Sequence, residues 1–181
     1  PAITALVTNA GGAVTVDETG QLSTAITGTA SLFTGGVVTL GADAGSTDVK
    51  FTIDNAASGL QTTGGKDITL VADATDNNIV YGKYDNAGTL NATAFTLSVT
   101  DAGVLTVTQA VALKHPTGGA ASPDEAITLD GKLSLTLTST DGDGDTATQS
   151  LAIGAAVSFK DDGPAITALV TNAGGAVTVD E

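Results

Sequence analysis

Residues 133–140 read Leu133-Ser134-Leu135-Thr136-Leu137-Thr138-Ser139-Thr140, three leucines alternating with hydroxyl-bearing residues. Successive side chains of a strand point to opposite faces, so this spacing gathers the leucines on one side. A helix would spread them around its axis. The stretch is predicted to be a half-buried strand, and the same alternation recurs outward from it. Phe95, Leu97 and Val99 repeat it, as do Val49, Phe51 and Ile53, then Ile68, Leu70 and Ala72, and the run from Ala147 to Ile153. Turn-forming residues fall between these runs: Asn9-Ala10-Gly11-Gly12, Asp85-Asn86-Ala87-Gly88, Asp101-Ala102-Gly103 and Asp130-Gly131. Asp and Gly tolerate the positive φ of tight hairpins, so the last two are predicted hairpin turns. Residues 3–7 and 13–16 are expected to pair across the first. Many short strands with polar outer faces make the expected fold all-β, an antiparallel Greek-key β-sandwich with extra strands.

The composition supports that reading. The chain of 181 residues is 41% hydrophobic, enough for a core, but only 3% aromatic, with no Trp, Met or Cys. The core must therefore be built from Val, Leu, Ile and Ala, and the β-branched members of that set suit strands. No cysteine means no disulfide and no thiolate site. No apolar run approaches the ~20 residues that span a bilayer, so direct membrane insertion is not expected. The chain starts at Pro without a signal sequence and is expected to be a piece of something longer.

Charge is one-sided. Twenty Asp and Glu stand against six Lys, a net −14, which excludes nucleic acid and anionic surfaces as natural partners and favours cations. Seventeen of the acids are Asp, the short-armed turn residue, which points to loops that hold metal more than to solvated helix faces.

Residues 1–18, PAITALVTNAGGAVTVDE, recur unchanged as residues 164–181. The repeat defines a unit from Pro1 to Gly163, one sandwich, with 164–181 opening the next unit of a tandem array. The joint, Lys160-Asp161-Asp162-Gly163-Pro164, is too short for a random coil, and Pro164 stiffens it. Neighbouring identical repeats are thus the expected partners, and the isolated chain is expected to be monomeric.

The densest cluster is Asp141-Gly142-Asp143-Gly144-Asp145. Three carboxylates at alternate positions of a loosened turn can converge on one hard cation, and Ca²⁺ accepts several carboxylates in irregular geometry. This is no EF-hand, since Thr146 stands where that loop needs Gly and Ala152 where it needs Glu. A solvated Asp-Gly turn is the plainer alternative. Asp161-Asp162 in the joint and Asp17-Glu18, repeated as Asp180-Glu181, complete the candidate metal ligands. In an extended array the Asp141–Asp145 turn is expected at the N-terminal pole, where Asp161-Asp162 of the preceding unit arrive. Asp17-Glu18 would join it there if the expected 3–7/13–16 hairpin forms. A plain polar linker is the other reading of Asp161-Asp162. His115 reads as a loop histidine, Asp124-Glu125 as a solvated pair, and Tyr81 and Tyr84 as strand-face residues. No catalytic motif is visible, so no enzyme activity is expected.

One ordered set of motifs resembles a known family. Gly103 to Gln109, Leu113-Lys114-His115-Pro116, Ile127 to Gly131, Thr140 through DGDGDTAT to Gln149, Phe159 to Pro164, and VDETG at 16–20 are together similar to the large repeats of type I-secreted bacterial adhesins of the RTX class. The resemblance covers essentially the whole period. It implies an immunoglobulin-like extender domain on the bacterial cell surface, with Ca²⁺ rigidifying the joints and distal domains doing the binding in adhesion and biofilm formation. A Ca²⁺-dependent module that recognises a glycan or partner directly is the alternative; exact repetition speaks against it, because recognition domains tend to occur once.

Overall fold

Leu133, Leu135 and Leu137 turn their side chains into the interior and are essentially inaccessible, as the alternation predicts. The structure is a computed structural model that describes residues 1–3, 12–18, 25–33, 38–40, 42–116 and 125–161. Its strands are β1 (Ala2–Ile3), β2 (Val14–Asp17), β3 (Ile26–Ser31), β4 (Val38–Thr39), β5 (Gly45–Ile53), β6 (Ala57–Gln61), β7 (Asp67–Ala72), β8 (Ile79–Asn86), β9 (Thr89–Val99), β10 (Val104–Gln109), β11 (Ala126–Thr128), β12 (Leu133–Asp141), β13 (Thr146–Ala152) and β14 (Val157–Lys160). The fold is an all-β sandwich, and among the described residues its sheets are antiparallel except for one parallel pair, β2 with β14.

A six-stranded sheet in the order β3-β10-β9-β8-β7-β6 forms one layer. The facing side consists of two three-stranded sheets, β11-β14-β2 and β13-β12-β5. These two share a spine. The β12–β13 ladder pairs Ser134 with Ala152, and six residues further along each strand the β11–β14 ladder pairs Thr128 with Ser158. Equal spacing on both strands makes this one continuous ribbon, bent where a turn at Leu129–Lys132 meets a 3₁₀ turn at Gly154–Ala156. Asp130-Gly131, predicted to close a hairpin, instead forms that bend. Gly131 does adopt the expected positive φ of 67°, but β11 and β12 run on instead of pairing with each other.

Two other turns do close hairpins. Asp85–Gly88 joins β8 to β9 and Asp101–Gly103 joins β9 to β10, with Gly88 and Gly103 at φ 88° and 75°. The expected hairpin between 3–7 and 13–16 falls largely on residues outside those described, and the pairings seen for these strands are different ones. Ile3 pairs with Val38 of β4, and β2 takes β14 as its partner, Val14 opposite Val157 through Asp17 opposite Lys160. Residues 4–7 lie outside those described. The parallel choice has a clear cause: it brings Val14 and Val16, each about 1% exposed, into the same core as Val157 and Phe159.

Candidate metal centre

The ribbon decides where the acidic clusters lie. Its tip is the turn between β12 and β13, and its other end carries β14 and Asp161. At the tip, Asp141 N–H donates to the Asp145 carbonyl at 3.0 Å, and Gly144 N–H donates to the Asp141 carbonyl at 3.2 Å. Asp145 N–H donates to Asp141 Oδ1 at 2.9 Å, so the turn is tied through the Asp141 side chain. Gly144 sits at φ 94°, a conformation that favours glycine. Gly142 is needed for a different reason, since a Cβ there would collide with the carbonyl oxygen of Asp43 in the neighbouring turn.

The turn does gather its carboxylates. Asp141, Asp143 and Asp145 each place a carboxylate oxygen within 4.8 Å of the others, a spacing that can hold a metal ion. Asp141 is partly shielded, while Asp143 and Asp145 are exposed. The Asp141 carboxyl is held below its usual range, first by a hydrogen bond shared with the Asp143 carboxyl and then by the α-amino group of Pro1. That amino nitrogen lies 3.0 Å from Asp141 Oδ2 and is almost covered. The start of the chain therefore runs directly past the Asp141–Asp145 turn, at the N-terminal pole where the sequence argument put it.

Asp17 and Glu18 do not join that pole. Because β2 runs parallel to β14, Asp17 stands opposite Lys160, and Glu18 N–H donates to the Lys160 carbonyl at 3.1 Å. Both residues therefore belong to the end of the ribbon that carries Asp161, opposite the Asp141–Asp145 turn. Asp161 itself donates its N–H to the Glu125 carbonyl at 3.4 Å. Asp162, Asp180 and Glu181 lie outside the described residues.

Glu18 also turns inward, with 6% exposure. Its Oε1 accepts from Leu113 N–H at 2.8 Å and from Gln109 Nε2. Burial pushes its carboxyl up, opposed by those two hydrogen bonds and by nearby His115, and reinforced by Asp161. Sequence reasoning missed this buried polar pair: Gln109 follows Leu105 and Val107 on the inward face of β10, but the Glu18 that meets it lies 91 positions away. His115, read as a loop histidine, lies outside any strand but is 9% exposed. It lines a cleft of about 840 Å³ with Lys114, Gln61, Asp67 and Ile127, between β6 and β11. Tyr81 and Tyr84 do lie on strand β8, and the Tyr81 hydroxyl donates to Asp73 Oδ2 at 2.9 Å.

A family model described as a domain of unknown function, DUF5801, matches residues 13–154, well over half of the chain. The chain belongs to the DUF5801 family. The match takes in Asp17, Glu18 and the whole Asp141–Asp145 turn and ends before the joint residues Asp161 and Asp162. No curated protein and no solved structure matches the chain. Within this DUF5801 domain, the Asp141–Asp145 turn is the one group of metal-ligating residues that converges among the described residues.

Proposed function

We propose that the chain is an extender unit of a repetitive bacterial cell-surface adhesin, with Ca²⁺ held at the joints between consecutive units. The observation that carries this reading is the Pro1 amino group against Asp141. Pro164 begins the second copy of the same eighteen residues and so corresponds to Pro1, and it is preceded by Asp161-Asp162-Gly163. In consecutive units the joint then delivers two further carboxylates to the Asp141–Asp145 turn of the next unit. The Pro164 nitrogen is an amide and brings no positive charge to replace the Pro1 amine. Two unit charges ~4 Å apart repel by about 4 kcal/mol at an effective dielectric near 20, so such a joint needs a cation. All candidate ligands are oxygens in irregular loops, the setting that suits Ca²⁺.

The mechanism is electrostatic and non-enzymatic. At low cytosolic Ca²⁺ the acidic joints repel and stay loose, which suits passage through a type I secretion channel. Outside the cell the bound ions neutralise the carboxylates and stiffen the array, because a metal that binds only the ordered joint stabilises it. The opposite placement of the two acidic ends on the ribbon supports a linear array. The test is a two-unit chain melted and measured by solution scattering with Ca²⁺ and with chelator. A large rise in melting temperature and a longer, stiffer particle with Ca²⁺ are expected; no change in either sinks the proposal.

The second reading, a Ca²⁺-dependent recognition module, draws support from the cleft beside His115 and Lys114. A glycan-array signal that chelator abolishes would favour it over the extender.

A further inference from the structure

We propose that the cleft between β6 and β11 binds an uncharged saccharide, with His115 as the group that recognises it. The proposal rests on the cleft of the second reading above, but the site needs no metal and stands whether or not the unit also serves as an extender.

The starting observation is an imidazole without partners. His115 is 9% exposed and lines the cleft, and neither its Nδ1 nor its Nε2 has a hydrogen-bond partner. Nearby Glu18 does not answer it, because Glu18 Oε1 is bonded to Leu113 N–H and Gln109 Nε2. Buried polar atoms are nearly always satisfied in native folds, so two on one ring call for a molecule that satisfies them. The backbone that presents the ring is fastened to β6. Lys114 N–H donates to the Gln61 carbonyl at 2.8 Å, and Leu113 bridges to Thr62.

The surrounding chemistry narrows the ligand. Lys114 Nζ lies 3.5 Å from Gln61 Oε1, and Gln61 Nε2 donates to Asp67 Oδ1 at 2.8 Å. This row orients the Gln61 amide and sets a cation and an anion at its two ends. An ammonium carries three donors and a carboxylate about four acceptor sites, so both ends keep capacity for a ligand. A neutral imidazole adds one donor and one acceptor. An anionic ligand would gain Lys114 and meet Asp67, and a cationic one the reverse, so neither charge is favoured. A hydroxyl both donates and accepts, and adjacent hydroxyls on a sugar ring match a site that offers both. Leu60, Pro116 and Ile127 supply apolar carbon for the C–H face of that ring. The volume of about 840 Å³ suits a short saccharide.

The cleft is also remote from the Asp141–Asp145 turn. Ile127 pairs with Phe159, at the end of the ribbon that carries Asp161. Among the described residues no three metal-ligating groups converge at the cleft. Binding is therefore expected to survive chelator.

His115 is the single histidine, so its imidazole signals report on the cleft without ambiguity. The isotope-labelled full chain is titrated by NMR, in EDTA and again in Ca²⁺, with glucose, galactose, mannose, N-acetylglucosamine, cellobiose and lactose, and separately with acetate and trialanine. At least one saccharide is expected to move the His115 signals saturably in both conditions. His115→Phe keeps a ring and removes both nitrogens, and it should weaken that saccharide about tenfold or more. Its melting temperature should stay level or rise, because the orphaned buried atoms are gone. Should the phenyl ring disturb the fold, Lys114→Met changes an exposed side chain and should still weaken binding about threefold. No saturable shift with any saccharide overturns the proposal, and so does a shift with acetate or trialanine alone. A saccharide that binds both variants as tightly as the parent chain sits elsewhere. That outcome, or binding only in Ca²⁺, overturns the proposed site and leaves the recognition reading standing.

Discussion

The rings of Phe95 and Phe159 meet with centroids 4.9 Å apart and planes tilted by 42°. Phe95 belongs to β9 in the six-stranded layer and Phe159 to β14 on the ribbon, so the pair bolts the two layers together where β2 also docks. Both rings are fully buried. Phe95 and Phe159 are the largest of the fully buried side chains among the described residues. Phe159→Ala should therefore destabilise the unit by about 3–5 kcal/mol in denaturant unfolding. A cost below about 1 kcal/mol would mean the layers are held elsewhere.

Gly82 completes the same contact from the strand beside β9. A Cβ at Gly82 would lie against Phe95 Cζ and collide with the ring. The cost of Gly82→Ala is thus steric, since β-propensity alone favours Ala over Gly in a strand. The variant should lower stability by about 1–3 kcal/mol, the usual range for overpacking. If the melting temperature is unchanged or raised, the ring can move aside and the bolt is looser than its geometry indicates.

Much of this was legible in the sequence, and the misses share one cause. Alternation located β5, β7, β9, β12 and β13, because each has a more covered and a more exposed face, the covered one only half-buried on β13, and period 2 records only that difference. Alternation says nothing about which strand lies next to which. The parallel pairing of β2 with β14 was therefore not foreseen, and with it the pole of Asp17 and Glu18. Asp130-Gly131 was misread for a related reason: a Gly at positive φ serves a ribbon bend as well as a hairpin, and local chemistry is the same in both. The Asp141–Asp145 turn was legible because everything that gathers it lies within five consecutive residues. The Glu18–Gln109 contact joins residues 91 positions apart, and no local pattern marks it.

Glu18 and Asp73 should respond to acid in opposite ways. Burial raises the Glu18 carboxyl above its ordinary 4.5, so the folded state binds that proton more tightly than the unfolded chain. Its contribution to stability rises as pH falls through the folded pKa towards 4.5 and is level below that. Asp73 is held down to about 2 by the Thr75 N–H, the Tyr81 hydroxyl, the Thr75 hydroxyl and the Asp76 N–H. Its contribution is complete above 3.8 and disappears as pH falls through about 2. Glu18→Gln should therefore flatten the stability profile just above pH 4.5, and Asp73→Asn should flatten it below 3.8. Urea midpoints measured across that range check both, and profiles that coincide with the parent chain would refute the assignment.

Removing the Glu18 side chain altogether is a separate experiment from neutralising it. Glu18→Ala leaves Leu113 N–H without its acceptor and takes from Gln109 one of two acceptors, the Val111 carbonyl remaining. An unsatisfied buried donor costs about 1–3 kcal/mol. The alanine variant should lose about that much at neutral pH, and the glutamine variant, which keeps an accepting oxygen, clearly less. Equal losses would show that the charge, and not the hydrogen bonding, holds β2 to the 111–115 segment.

The amino group of Pro1 competes with any cation for Asp141, and that competition can be measured. At 3.0 Å and nearly covered, the amine occupies an oxygen that the metal would use. Acetylating Pro1 removes the positive charge without adding ligands. Extending the chain backwards by Asp-Asp-Gly, the residues that precede Pro164, removes the charge and adds two carboxylates. Cation affinity should therefore increase in the order free amine, acetylated, extended. Relief of one like-signed charge and each added carboxylate favour binding in the same direction, and the whole series should span about tenfold or more by calorimetry. A step at acetylation alone would mean that the Asp141–Asp145 turn binds without help from the joint. A step at extension alone would mean that Asp161 and Asp162 supply the decisive ligands, and a flat series would remove the cation from this pole altogether.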